Sequence, residues 1–324
     1  SGEAKGVIDE SVRGMDLYIL VDVCNYSLTY SMSGNTNHMS PDDHYQNLKR
    51  IIAAVGGKAK RINVIMPFLY ESRQHKRSSR ESLDCALALQ ELTHMGVDNI
   101  ITFDAHDPRV QNAIPLSGFE TVRPTYQFVK GLLDRYDDLI IDSDHMMAIS
   151  PDEGATERAV YLANVLNLDM GMFYKRRDYT RVVNGRNPIV AHEFLGSSVE
   201  GKDVIILDDM ISSGDSILDV AKQLKSRNAK RIFAAATFGL FTNGLDKFDE
   251  AYESGLIDGV LTTNLIYQTP ELLSRPYYIN CDMSKYVALM IDTLNHDGSI
   301  SDILDPSERI QVCVEEYKKA HGQL

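Results

Sequence analysis

Short apolar runs alternate with amphipathic segments along almost the whole chain, and this alternation constrains the fold more than any single motif. Leu17–Val21, Ile62–Met66, Ile100–Phe103, Met146–Ile149, Met170–Tyr174, Val204–Leu207, Ile232–Ala236 and Val260–Thr262 read as strands. Apolar residues at helical spacing fall between them, over Tyr45–Ala54, Ser82–Met95, Thr125–Leu133, Glu157–Leu166 and Ile217–Leu224. Strand–helix–strand repetition means crossover connections, and crossovers mean parallel sheets covered by helices. Two separate sets of polar loops at the strand ends predict two such sheets rather than one closed barrel. The expected class is therefore α/β, and 324 residues suffice for two domains, each with its own core. The polar, acidic stretch Tyr136–Asp144 reads as a surface crossing between the halves.

Composition narrows the function. A net charge of -13 argues against general nucleic-acid binding and makes local basic clusters stand out as anion sites. No apolar run approaches a membrane span and no signal-peptide core is present, so a cytoplasmic chain without membrane contact is expected. Cys24, Cys85, Cys281 and Cys313 are far apart and form no CxxC pair; they read as reduced thiols. Met146, Met147, Met170 and Met172 read as core filler.

The most informative segment is Val204–Asp219. Its apolar run predicts a buried parallel strand. The run ends in Asp208 and Asp209, then a small hydroxylated loop, Ser212-Ser213-Gly214-Asp215-Ser216. Ile217, Val220, Ala221 and Leu224 continue at helical spacing, with Ser216 and Asp219 spaced as a capping box. A strand, a tight loop and a helix N-terminus make an anion cradle, because unpaired N–H groups and the helix dipole favour phosphate there. Paired carboxylates beside it suit vicinal hydroxyls or hydrated Mg²⁺. An ordinary βα turn with solvated acids shares parts of this pattern; the whole combination favours a phosphosugar site.

Ligands of open α/β sheets sit at the carboxyl ends of strands, so the other exits bear on function. Ile62–Met66 leads into Pro67-Phe68-Leu69-Tyr70 and then Arg73, Gln74, His75, Lys76, Arg77 and Arg80. Ile100–Phe103 leads into Asp104-Ala105-His106-Asp107, and Met146–Ile149 into Ser150-Pro151-Asp152-Glu153-Gly154. Met170–Tyr174 leads into Lys175-Arg176-Arg177. The cations suit a polyphosphate, since Arg binds phosphate oxygens bidentately. His106 and Asp152 suit a shared Mg²⁺, although a lone His is as often structural. His75 is expected to be a bystander in a mobile loop.

With these residues in hand, the chain resembles the ribose-phosphate pyrophosphokinase (phosphoribosyl pyrophosphate synthetase) family along nearly its whole length, as a divergent branch. Pro67–Arg80, with its Arg73-Gln74 pair, is similar to that family's basic loop, and Asp104-Ala105-His106 to its Asp-Leu-His motif. Ser150–Gly154 resembles its pyrophosphate loop, Lys175–Arg177 the start of its catalytic loop, and Asp208–Ser216 its ribose-5-phosphate loop. Glu10-Ser11-Val12-Arg13-Gly14 is similar to its N-terminal region. The resemblance implies two tandem phosphoribosyltransferase-like (Rossmann-like) domains. Residues 1–124 would form the ATP side and residues 125–324 the ribose-5-phosphate side, with C-terminal helices packing back on the first domain.

It implies transfer of the diphosphoryl group of ATP to the 1-hydroxyl of ribose 5-phosphate, releasing AMP, with Mg²⁺, in homo-oligomers (dimers or hexamers). The implied catalytic residues are Lys175 and Arg177; Glu3, Arg73, Gln74 and His106 would bind ATP. Asp208, Asp209, Ser212, Ser213, Gly214, Asp215 and Ser216 would bind ribose 5-phosphate, and His106, Asp152, Asp208 and Asp209 the metal. Two other functions compete: a non-catalytic regulatory relative that binds nucleotides or partner subunits, and a phosphoribosyltransferase. Retained cations and metal-type residues argue against the first, and the ATP-side loop against the second.

The chain departs from the family pattern in several places. Its Ser1-Gly2-Glu3 falls at the family's adenine loop, so the strand and helix usual before that point are expected to be needed for a full adenine site. Ser212 stands for a usual Asp, Asp215 for a usual Gly, and Phe238 where His is common. The segment around Asn25–Asp42 has no counterpart in the family pattern.

Overall fold

The computed structural model describes residues 2–177 and 189–323. Its contacts divide the chain into two units: Ser1–Pro124, Asn264–Gln268 and Asp282–Asp305 form one, and Thr125–Thr263, Thr269–Cys281 and Pro306–Leu324 the other.

The first unit runs β1 (Asp16–Leu20), β2 (Thr29–Met32), β3 (Asn35–His38), α1 (Pro41–Val55), β4 (Arg61–Ile65), α2 (Asp84–His94), β5 (Asn99–Phe103) and β6 (Gly118–Val122). Strands β1, β4, β5 and β6 form a parallel sheet in that order, while β2 and β3 pair as a separate antiparallel hairpin. Helix α1 starts on a reciprocal cap. Ser40 Oγ accepts from the Asp43 N–H at 3.2 Å, and the Asp43 carboxylate accepts from the Ser40 N–H at 2.9 Å. It ends at Gly56, whose φ of 59° is left-handed. Tyr45, Leu48, Ile52 and Val55, three and four residues apart, point into one core with Val64, Met66 and Leu89.

The second unit runs α3 (Thr125–Arg135), β7 (Met146–Ser150), α4 (Thr156–Leu166), β8 (Asp169–Arg177), β9 (Ile189–Leu195), β10 (Asp203–Ile211), α5 (Asp215–Lys225), β11 (Ile232–Gly239), α6 (Asp246–Glu253), β12 (Gly259–Thr263), α7 (Pro270–Leu273) and β13 (Tyr278–Cys281). The sheet order is β13-β12-β11-β10-β7-β8-β9, parallel throughout except for β9, which runs antiparallel to β8. Helices α8 (Ser284–Asn295) and α9 (Ser301–Leu304) belong to the first unit, and α10 (Ser307–Ala320) to the second.

Strand β10 shows why its sequence is continuously apolar. Ile205 and Leu207 face a core shared with α3, α4 and α10, while Val204 and Ile206 face the opposite core with α5 and α6. Each of the four is buried, which contributes roughly 1.5–3 kcal/mol per side chain.

Two expectations need correction. Tyr136–Asp144 is not a crossing between units, since both its ends lie in the second. Leu139 and Ile141 are buried, and the Leu139 N–H donates to Tyr317 Oη at 2.9 Å, so the acids sit on a segment anchored by alternate apolar residues. The strand count also exceeds eight, because β2, β3, β6, β9 and β13 were not foreseen. All four cysteines are free thiols. No helix among the described residues is long and apolar enough to cross a membrane.

Candidate active site

Strand β10 lies between β7 and β11, parallel to both, so three carboxyl ends open on the same side. Just before that end, still within β10, Asp209 is buried and Asp208 keeps part of its surface open. The Asp209 N–H donates to the Asp208 carboxylate at 2.9 Å. Burial pushes the Asp208 carboxyl well above the usual carboxylate range, and the charges of Asp209 and Asp152 push the same way.

The loop after β10 turns at Gly214, with φ of 83°. A Cβ built there would come within 2.4 Å of the Phe248 ring, which is fully buried, so conformation and space both require glycine. Helix α5 begins at the next residue and no side chain caps it. The expected box of Ser216 and Asp219 is therefore not formed. The left-handed glycine starts the helix earlier, which places Ser216 inside the first turn, and Asp219 is instead within 3.2 Å of Lys222. The Asp215 N–H donates to Ser213 Oγ at 3.4 Å, and the N–H groups that follow it in the first turn of α5 are left for a ligand or solvent. Ser212 and Ser213 are half-buried and Ser216 exposed. Asp215 is exposed; its carboxylate accepts from Lys247 Nζ at 2.5 Å and from Ser213 Oγ at 3.0 Å. Lys247 first, then Ser213, holds that carboxyl below its ordinary value.

Beside β10, the exit of β7 makes a compact turn. Ser150 Oγ donates to the Asp152 carbonyl at 2.6 Å, and the Asp152 carboxylate accepts N–H groups from Gly154 at 2.9 Å and Ala155 at 3.3 Å. Asp152 thus shapes the turn into α4. Lys175 and Arg177 end β8, their backbones opposite His192 and Ile189 with an irregularity between Arg176 and Arg177. The side chains of Lys175 and Arg177 lie outside the described set.

In the first unit, the exits of β4 and β5 are joined at Pro67, whose carbonyl accepts from Thr102 Oγ1 at 2.9 Å and from the Phe103 N–H at 3.1 Å. Asp104 is buried with a left-handed φ of 42°, a conformation Asp tolerates better than most residues. Its N–H donates to the Val122 carbonyl, and the Ala105 N–H to Thr121 Oγ1. His106 follows, half-buried, with its ring 5.1 Å from that of His75. His75 Nε2 is 3.6 Å from the Asp107 carboxylate, and burial lowers the His75 pKa, with His106 adding to that effect. His75 packs into the turn that carries His106. Asp107 pairs with Arg109, which brings its carboxyl down to about 2. Arg73, Gln74, Lys76, Arg77 and Arg80 are exposed beyond this turn, and Glu3 is exposed near the start of the chain.

Among the described residues no three His, Cys, Asp or Glu side chains gather into a metal cluster. Asp208 and Asp209 supply two hard oxygen donors, the kind with which Mg²⁺ is held beside water and phosphate oxygens. Sequence reasoning missed Lys247. It lies 32 positions beyond its partner on a helix with no motif, so only tertiary structure brings them together.

Two mainly parallel α/β units, one with paired acids and an uncapped helix N-terminus at its central strand exit, define a phosphate-handling α/β protein. Residues 1–96 match the N-terminal domain of ribose phosphate pyrophosphokinase, and residues 123–263 the phosphoribosyl transferase domain. The chain is 31% identical to a ribose-phosphate pyrophosphokinase of Mycoplasma genitalium over 269 residues, covering 82% of this chain and 73% of that one. A Vibrio parahaemolyticus ribose-phosphate pyrophosphokinase is 28% identical over 304 residues, covering 93% and 87%. The fold is similar to that of a phosphoribosylpyrophosphate synthetase from Mycobacterium smegmatis, with TM-score 0.72, 24% identity, and coverage of 90% of this chain and 86% of that one. The chain belongs to the ribose-phosphate pyrophosphokinase family.

Proposed function

We propose that the chain transfers the diphosphoryl group of ATP to the 1-hydroxyl of ribose 5-phosphate, releasing AMP and supplying phosphoribosyl pyrophosphate for nucleotide synthesis. Family membership supports the reaction. The single structural observation that carries the reading is the uncapped N-terminus of α5, one tight loop beyond Asp208 and Asp209. In this reading the leading N–H groups of α5, with Ser212, Ser213, Gly214, Asp215 and Ser216, form the 5-phosphate loop. Asp208 and Asp209 take the ribose hydroxyls and a Mg²⁺, and a cation there would offset the burial and like charge that raise the Asp208 carboxyl.

Glu3, Arg73, Gln74 and His106 bind ATP, Asp152 serves Mg²⁺ through its water shell, and Lys175 and Arg177 act on the transferring phosphates. Bound Mg²⁺ supplies charge neutralisation on the phosphate oxygens. The chain's own contribution is placement of the sugar hydroxyl in line with the β-phosphorus and exclusion of water by cationic side chains. Attack on phosphorus asks little covalent chemistry of a protein, so positioned cations account for most of the acceleration. Assembly is as a homo-oligomer, a dimer or hexamer.

AMP release from ATP, Mg²⁺ and ribose 5-phosphate tests the reading. Stoichiometric AMP and phosphoribosyl pyrophosphate are expected. Nucleotide binding without AMP release would instead make the chain a non-catalytic relative.

A further inference from the structure

Asp215 occupies the first position of α5, where the helix's partial positive charge draws anions. On the reading of this loop as a 5-phosphate site, a bound dianion would meet a carboxylate competing for the same N–H groups. The structure gives both oxygens of that carboxylate a partner, one on Lys247 Nζ at 2.5 Å and the other on Ser213 Oγ at 3.0 Å. The ammonium comes from α6, whose next residue, Phe248, packs its ring against Gly214 at the turn. The backbone that carries Lys247 is therefore anchored to the loop by a buried neighbour.

Stability does not explain the pair. Its side chains are 52% and 54% exposed, and exposed ion pairs contribute little to folding. Its consequence is where a charge sits. A carboxylate neutralised by an ammonium repels an incoming dianion less, and its oxygens are already engaged by Lys247 and Ser213. Lys222, the other cation at this groove of about 350 Å³, is within 3.2 Å of Asp219.

We propose that Lys247 is a positioning residue of the sugar-phosphate loop: it holds Asp215 away from the α5 N-terminus and so keeps that N-terminus open to the 5-phosphate of the substrate. The proposal rests on the functional reading above. It adds a residue from a different helix, and it gives a reason why an acid is tolerated in an anion-binding loop.

Four chains test it: the unmodified protein, Lys247→Ala, Asp215→Asn, and the double variant. Lys247→Ala is expected to raise KM for ribose 5-phosphate about three- to fivefold, with kcat within about twofold and KM for ATP unchanged, as for loss of ground-state binding alone. The rise shrinks at high salt, since the charges are exposed. On the Asp215→Asn background the same substitution is expected to change KM by less than about 1.5-fold, because no charge remains to restrain. A fifth chain, Lys247→Arg, is expected to keep the unmodified behaviour, since it retains the cation.

An equal rise on both backgrounds would mean that Lys247 touches the phosphate itself, and this would overturn the proposal; so would an unchanged KM in Lys247→Ala. Titration of the same four chains with inorganic phosphate, by calorimetry, separates the two readings. The four-chain pattern in phosphate affinity without any turnover keeps the positioning role and removes the proposed reaction. Turnover without the pattern removes the positioning role alone, and absence of both removes both.

Discussion

Two strand exits, one in each unit, carry acids in opposite electrostatic states. After β5, Asp107 is satisfied locally: Arg109 binds it, the Arg109 N–H donates to it at 3.0 Å, and its carboxyl falls to about 2. Near the carboxyl end of β10, burial and the charges of Asp209 and Asp152 raise Asp208. An acid with its own arginine is finished as structure. A crowded acid pair stores an unfavourable charge arrangement that a metal or a hydroxyl-bearing ligand relieves. The comparison therefore sets the acids proposed for chemistry against one held by a local ion pair.

The largest expected effect tests that division directly. Asp208→Asn with Asp209→Asn is expected to lower turnover with ribose 5-phosphate by about a thousandfold or more, on the order of 4 kcal/mol. ATP affinity, read by calorimetry, stays within about twofold. Asp107→Asn is expected to cost less than about tenfold in turnover. Loss of ATP affinity with sugar affinity kept in the double variant would reverse the assignment of the acid pair.

Lys175→Ala comes next, with a fall in kcat of about a hundredfold, near 3 kcal/mol, and unchanged thermal unfolding. It asks whether the sugar-side exit carries the rate by its acids alone or needs a cation supplied from the end of β8. A variant with ordinary turnover would remove Lys175 from the catalytic set.

The exits differ in backbone as well. Asp104 carries a side chain through a left-handed φ of 42°, whereas the loop after β10 has glycine at φ 83° with a ring pressed against it. Gly214→Ala is expected to destabilise the second unit by about 2–3 kcal/mol, from strain plus displacement of Phe248, read as a lower denaturant midpoint. A loss below about 0.5 kcal/mol would show that the loop relaxes easily and that its glycine serves ligand approach alone.

How much of this was legible in the sequence follows from the range of each interaction. Val204–Leu207 was readable because burial on both faces leaves an unbroken apolar run, and Asp208–Ser216 because the motif is contiguous in the chain. β2 and β3 were not, since Thr-Tyr-Ser-Met spans only four residues, Asn-Thr-Asn-His has no apolar residue, and both lie largely exposed. β13 has only four residues, too few for a period to register. β9 pairs antiparallel on β8, a partnership that alternation of strands and helices does not announce. The misread cap shows a local rule losing to a stronger one: Ser216 and Asp219 have the right spacing, but the left-handed Gly214 decides where α5 starts. Lys247 and His75 have no local signal at all; each gains meaning only from a partner brought close by folding.

The smallest effect examines the satisfied side of the comparison. Arg109→Ala removes the guanidinium that lowers the Asp107 carboxyl most. A carboxyl depressed in the folded state contributes stability that is fully present above its unfolded pKa, near 4, and lost as pH falls through its folded value of about 2. The arginine side chain is 79% exposed, so solvent screens the pair and the loss at neutral pH is small. The difference in unfolding free energy between the variant and the unmodified protein is therefore expected to be small and constant from pH 7 to pH 5. It should shrink by roughly half by pH 3, because the unfolded chain then binds the proton that the folded carboxylate still refuses. Urea unfolding at pH 7, 5 and 3 checks both size and direction. A difference that grows toward low pH would mean that Asp107 is not held ionised by its arginine, and the contrast between a finished acid and a waiting pair would lose its first half.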